Sequence, residues 1–371
     1  MEFSIRKKVI SMSRFPRTAG LVTRAVAEGC APCAAIAVGV REQLLVKMVC
    51  GNARTVGGMV PAGEDTRYDM ASLTKLLVPT MTALKLLEEG RLTLSDTLGD
   101  WFGALVPPGR RAVTVFQLMT HTGGFLPHIS LRDECPAGPE GALAAIFRSP
   151  PACPPGEQVH YSCLGYIVLG KLLELAGGAP LDQLARRYVF EPLGMEHTGY
   201  RPAGGDFAAT ELVDGGSCLS GVVHDENARF LGGVSGNAGV FSDLGDMVRF
   251  ASMLACGGTC GGKRYLSPAT LRAAGRNYTP GMEEHRGLGF HLPGPGSFHG
   301  DLFPPESIGH TGFTGTSLIV DPTSGLYVVL LSNRVHPTRE NVKFIRVRRT
   351  VHNAAMAEFS ALMPKEREVI V

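Results

Sequence analysis

Residues 326–332, Leu326-Tyr327-Val328-Val329-Leu330-Leu331-Ser332, form a near-continuous apolar run. A strand with one wet face alternates polar and apolar residues. This one does not, so it reads as a strand covered on both faces. Residues 33–40 near the start have the same character, and 44–50 follow across the turn Arg41, Glu42 and Gln43, which predicts a hairpin. Further strand candidates are 287–292, 307–312 and 316–321. Helical spacing marks 17–29, 166–176, 181–189, 246–255 and 341–361. Strands at both ends with helices between predict an α+β fold. One antiparallel sheet is built from both termini, about 17–70 and 245–362, with a helical region inserted over about 71–244.

Composition narrows the function classes. At 371 residues with 44% hydrophobic and 19% charged side chains, the chain is globular and suits one large domain or two intimate ones, with an ample core. A net charge of +2 gives no reason to expect nucleic acid or a membrane surface as partner. The basic stretch 1–16 lacks a compact apolar segment, so no signal peptide and a cytoplasmic location are expected. Nine cysteines then read as reduced thiols. Cys30 and Cys33 have zinc spacing, and Cys256 and Cys260 could complete a set. The first pair leads into an apolar strand and the second sits in a Gly-rich turn, so no metal and no cofactor is expected.

The chemistry centres on Ser72-Leu73-Thr74-Lys75. A serine hydroxyl is a poor nucleophile at neutral pH and needs a base within hydrogen-bond reach. Three residues is close to one helical turn, which stacks the two side chains. Leu73, Leu76, Leu77, Met81, Leu84 and Leu87 continue a helix that Gly90 can stop, and Pro79 predicts a kink. Ser4 and Lys7 share the spacing but lie in a polar terminus with no apolar run behind them. A bare Ser-x-x-Lys is most often a cap with a solvated lysine; its context decides.

Two later stretches supply that context: His160-Tyr161-Ser162-Cys163 and Gly309-His310-Thr311-Gly312-Phe313-Thr314-Gly315-Thr316. With Ser72-x-x-Lys75 first, the ordered set resembles the serine β-lactamase and penicillin-binding-protein superfamily, over about residues 30–335. His121-Thr122-Gly123-Gly124, Phe190-Glu191-Pro192-Leu193-Gly194-Met195 and 233–239 also look familial. The resemblance implies an antiparallel sheet flanked by helices, an all-helical subdomain, and a site in the cleft between them. It implies Ser72 as nucleophile, Lys75 as general base and Tyr161 as proton relay. Which of Lys75 and Tyr161 deprotonates Ser72 stays open. The backbone N–H groups of Ser72 and Phe313 would form an oxyanion hole, and Cys163, His310, Thr311 and Gly312 would line the substrate. Lys75 as base needs a depressed pKa.

Two positions depart from the family pattern. Cys163 stands where Asn is usual, and a thiol cannot replace both functions of an amide. His310 stands where Lys is usual in strong β-lactamases, and a neutral imidazole holds a carboxylate less well. Both favour an esterase or peptidase-like hydrolase acting on a small ester or amide. The alternatives are a D-alanyl carboxypeptidase or β-lactamase, an acyltransferase, or a non-catalytic binding protein on the same fold. Cys163 shows no paired base in the sequence and is not expected to be the nucleophile. His121 is expected to fix its loop, 224–227 to be a hydrogen-bonded loop rather than a metal site, and Asn237 to tolerate a left-handed backbone. The C-terminal helix, with Lys343, Arg346, Arg348 and Arg349, is expected to present a solvated face.

Overall fold

A computed structural model describes residues 14–213, 216–294 and 296–362; Ser4 and Lys7 lie outside them. Its strands are β1 (Cys33–Val40), β2 (Gln43–Arg54), β3 (Val60–Pro61), β4 (Tyr68–Asp69), β5 (Gly199–Tyr200), β6 (Val240–Ser242), β7 (Thr259–Cys260), β8 (Lys263–Arg264), β9 (Ile308–Thr311), β10 (Ser317–Val320) and β11 (Leu326–Ser332). The main sheet runs β3-β2-β1-β11-β10-β9, and every pairing in it is antiparallel. The two apolar runs from opposite ends of the chain are neighbours at its centre, with Ile36 opposite Leu330.

Neither central strand alternates in polarity because both sheet faces are covered. Ala35 and Ala37 of β1 and Tyr327, Val329 and Leu331 of β11 enter a core shared with the inserted helices. Ala34, Ile36 and Val38, with Val328 and Leu330, face a second core closed by the helices Pro16–Ala27 and Lys343–Leu362. These terminal helices also lock together. Helix Pro16–Ala27 lacks a side-chain cap of its own. Instead the Glu358 carboxylate accepts the N–H groups of Arg17 and Thr18 and the Thr18 hydroxyl, at 2.7, 3.0 and 2.6 Å. It thus satisfies orphan donors of the first helix from the last one.

A small sheet, β4-β6-β5, lies beside the inserted region. From β4 the chain turns directly into the Ser72 helix. That helix begins as Leu73–Lys75, widens to a π-helical stretch over Leu76–Thr80 and resumes at Met81–Glu88. The expected disturbance at Pro79 takes this form because proline has no N–H to give the Lys75 carbonyl. The Thr80 hydroxyl donates to that carbonyl at 2.8 Å. Thr80 is fully buried, so Thr80→Val should cost about 1 kcal/mol in urea unfolding through the lost bond. An unchanged urea midpoint would remove this role.

The strand expected over 287–292 does not form. Gly289 adopts φ +77°, and a Cβ there would lie 1.9 Å from the Thr80 hydroxyl oxygen. The chain folds back, with Gly287 N–H on the Phe290 carbonyl at 3.0 Å, and only His291 bridges to Gly309 on the β9 edge. No single helix among the described residues is long and apolar enough to cross a membrane.

Candidate active site

The nucleophile is presented by a strained turn. Ala71 has φ +46°, a left-handed conformation that costs a residue with a Cβ, and it directly precedes Ser72. Asp69 holds it there. One carboxylate oxygen accepts the Ala71 N–H at 2.8 Å and the other accepts the His224 N–H at 2.7 Å. Burial raises the Asp69 pKa and outweighs these two bonds.

Lys75 is fully buried, and its Nζ reaches Ser72 Oγ at 3.0 Å, the Asn237 carbonyl at 3.0 Å and Cys163 Sγ at 3.4 Å. An ammonium has three N–H donors, and all three find acceptors here. The expected depression of its pKa is not what the surroundings produce. Burial pushes it down, but electrostatic interaction with Cys163, Tyr161 and Asp225 pushes harder, and the net direction is up. The Cys163 thiol, for which the sequence showed no paired base, lies against the Lys75 amine.

Tyr161 enters from the inserted region, two residues before the helix Cys163–Gly177, with Ser162 as that helix's N-cap. Its ring is held between charged and aromatic neighbours. Lys75 Nζ lies 4.9 Å and the Arg286 guanidinium carbon 5.3 Å from the ring centroid, and the His121 ring is 4.6 Å away. His121 fixes both flanks of Tyr161. Its carbonyl accepts the His160 N–H at 2.9 Å and its Nδ1 accepts the Ser162 N–H at 3.1 Å. Burial and the charges of Arg286 and Lys75 hold His121 well below the usual histidine pKa, which keeps Nδ1 free to accept.

The third segment comes from the β9 edge. Thr314 Oγ1 donates to the Asp69 carbonyl at 2.7 Å and Thr316 Oγ1 to the Met70 carbonyl at 3.2 Å, which bolts the 312–316 turn to the backbone preceding Ser72. Gly312 must be glycine, since a Cβ there would lie 2.1 Å from Thr316 Oγ1 and 2.5 Å from the Met70 carbonyl oxygen. No acceptor among the described residues takes the N–H of Ser72 or of Phe313. His310 is buried, and its Nδ1 donates to the Thr311 carbonyl at 2.8 Å. Burial, Arg286 and Lys75 push its pKa well down, so the ring is neutral with Nε2 left as an acceptor.

Three features escaped the sequence reading. Arg286 is 3% exposed, lies over the Tyr161 ring and pairs with Glu284. Asn237 contributes its carbonyl to Lys75 and its side chain to Asp225 and Ser235, and its φ is not positive, so the expected left-handed backbone is absent. Arg348 does not lie on a solvated face: it is buried and donates to the Gly312 carbonyl at 3.1 Å. At 224–227, His224 meets Glu211, Asp225 caps the helix Glu226–Phe230, and Glu226 pairs with Arg339. The four cysteines weighed as a zinc set do not converge. Among the described residues the one cluster with metal-ligand spacing is Asp65, His197 and Asp243.

A family model described as Beta-lactamase matches residues 18–352. The chain belongs to the Beta-lactamase family. A protein of Escherichia coli (strain K12) named "Putative D-alanyl-D-alanine carboxypeptidase" is 31% identical over 336 residues, which cover 80% of this chain and 76% of that one. Among solved structures, "EstCE1, a hydrolase with promiscuous acyltransferase activity" superposes with a TM-score of 0.76 at 21% identity, over 93% of this chain and 99% of its own. A penicillin-binding-protein homologue from Caulobacter crescentus gives 0.74 at 21% identity, over 94% and 99%. The Beta-lactamase-family fold is the α+β arrangement expected from the strand pattern, and the chain is a serine hydrolase of this family.

Proposed function

We propose that this Beta-lactamase-family hydrolase cleaves carboxylic esters and simple amides through an acyl-enzyme on Ser72. The observation that carries the reading is the 3.0 Å contact between Lys75 Nζ and Ser72 Oγ; among the described residues the N–H groups of Ser72 and Phe313 have no acceptor. Because Lys75 is held in its charged form, we assign it the role of steadying Ser72 Oγ and the charges that develop around it. Ser72 Oγ bonds to the substrate carbonyl carbon as its proton passes to the Tyr161 oxygen and the Tyr161 hydroxyl hands its own proton on to the leaving-group atom. The oxyanion is received by the N–H groups of Ser72 and Phe313. The bond to the protonated leaving group then breaks, and Tyr161 is left holding the proton that came from Ser72. Water repeats the sequence and frees the acid.

The neutral His310 favours esters and uncharged amides over substrates that carry a carboxylate at that position. A second reading, a D-alanyl carboxypeptidase, draws on the name of the E. coli relative and on Arg286, a buried cation beside Tyr161. Nine free thiols support a reducing, cytoplasmic setting, which suits the esterase reading better than work on an extracellular wall.

The test is covalent labelling. A fluorophosphonate should add one equivalent to the wild-type protein and none to Ser72→Ala, read by intact mass. Labelling that persists in Ser72→Ala would overturn the assignment. A panel of p-nitrophenyl esters and D-alanyl-D-alanine peptides separates the two substrate readings.

A further inference from the structure

We infer that Arg348 is a positioning residue for the oxyanion hole, acting through the peptide bond between Gly312 and Phe313. The inference rests on the proposed role of the Phe313 N–H and extends it to a side chain on the last helix.

A trans peptide is planar, and its C=O and N–H point in opposite directions. Whatever fixes the Gly312 oxygen therefore aims the Phe313 hydrogen. That oxygen has two donors, Arg348 Nη2 at 3.1 Å and the Gly315 N–H at 3.1 Å. The other side of the turn abuts the nucleophile segment: a Cβ on Gly312 would lie 3.4 Å from Ala71 Cβ and 2.5 Å from the Met70 carbonyl oxygen. The guanidinium thus holds the Gly312 oxygen, and the Phe313 hydrogen, on the opposite edge of the same planar peptide, points away from it.

The charge of Arg348 is unusually undiluted. It is 6% exposed, its Nε has no partner, and no carboxylate pairs with it among the described residues. The charged group that acts on it is another cation, Arg334, which lies over the Phe313 ring at 4.6 Å and also pairs with no carboxylate among the described residues. A buried cation on the carbonyl end of a peptide polarises that peptide and makes its N–H a stronger donor. It also opposes a flip, because a flipped peptide would turn the N–H toward the guanidinium. Removing the charge should weaken stabilisation of the developing oxyanion more than binding of the ground-state carbonyl.

The experiment uses Arg348→Met and Arg348→Lys in the full chain, with p-nitrophenyl butyrate as substrate and phenylboronic acid as a tetrahedral mimic. Loss of an oxyanion donor itself costs about 100-fold or more, so an indirect loss in Arg348→Met should lower kcat by roughly 10- to 50-fold. KM should stay within about twofold, and boronate affinity should fall in step with kcat/KM. Arg348→Lys should recover part of kcat. A folded Arg348→Met with wild-type kcat, or with only KM changed, overturns the inference. If Arg348→Met does not fold, Arg348→Lys decides: unchanged kcat and boronate affinity overturn the inference, and a parallel fall supports it. Failure of the acyl-enzyme reading would look different, since wild-type protein would then take no fluorophosphonate on Ser72.

Discussion

Lowering the pH from about 7.5 to about 5.5 is expected to lower this protein's stability by several kcal/mol through its buried histidines. His121, His299 and His310 are held well below the ordinary histidine pKa, His291 is lowered to about 2 and His352 to about 3. Burial is the leading cause in each, and the Arg286 charge adds to it at His121, His291 and His310. The sign follows from which state binds protons. The unfolded chain takes them up as pH falls below about 6.5, and the folded chain does not. Stability is therefore complete above that value and is lost on the acid side of it, at about 1.4 kcal/mol per pH unit for each histidine. Five such groups amount to about 7 kcal/mol by pH 5.5, within the 5–15 kcal/mol of a typical domain. Asp69, raised by burial, and Asp246, raised to about 6 by burial and by Asp243, work the other way. The folded form of Asp246 takes a proton first and returns only about 1 kcal/mol over the same interval. Thermal melts at both pH values test the balance. A midpoint that stays level down to pH 5.5 would mean that these rings are not kept neutral by the fold.

The apolar runs of β1 and β11 announced a central, doubly covered sheet because a strand without a polar face has few places to go. Segment 287–292 shows the limit: its apolar residues suggest a strand, but Gly289 reverses the chain through a contact with Thr80 that is remote in sequence. For the site, Ser72, Lys75, Tyr161 and the 310–316 turn carry local spacing and could be found. Arg286 acts through contacts between distant segments and left no local pattern, and Asn237 lay in the glycine-rich stretch 233–239, where its contact with Lys75 had no sequence signal. Arg348 did leave a signal. Phe344, Arg348, Val351, Ala355 and Phe359 recur at helical spacing, and all five are buried. Counting the basic residues of that helix together hid the one that belongs to its apolar stripe. The direction of the Lys75 pKa was missed for a related reason. Burial alone would depress it, and only the assembled neighbours reverse the sign.

Replacing Lys75 by Met should lower kcat/KM on p-nitrophenyl esters by roughly 10⁴-fold, the scale seen when one member of a catalytic unit is removed. The thermal midpoint should move by only a few degrees. The two results have different origins. Lys75→Met deletes hydrogen bonds to Ser72, Asn237 and Cys163, each contributing about 1 kcal/mol, and at the same time removes a fully buried ammonium whose desolvation costs several kcal/mol. Methionine fills nearly the same volume, so the stability terms offset while the chemistry has no substitute. The pH profile separates Lys75's role further. A lysine with a raised pKa keeps its charge, and the stability linked to it, below about 10.5 and loses both only as pH rises through the folded value. Wild-type activity should therefore show no loss between pH 8 and 10 attributable to Lys75. If Lys75→Met kept a tenth or more of wild-type kcat/KM, the ammonium would be a structural plug and Ser72 would need another activator. If it lost activity together with a large drop in thermal midpoint, the loss would report unfolding, and single-turnover acylation on the folded fraction at low temperature would decide between the two.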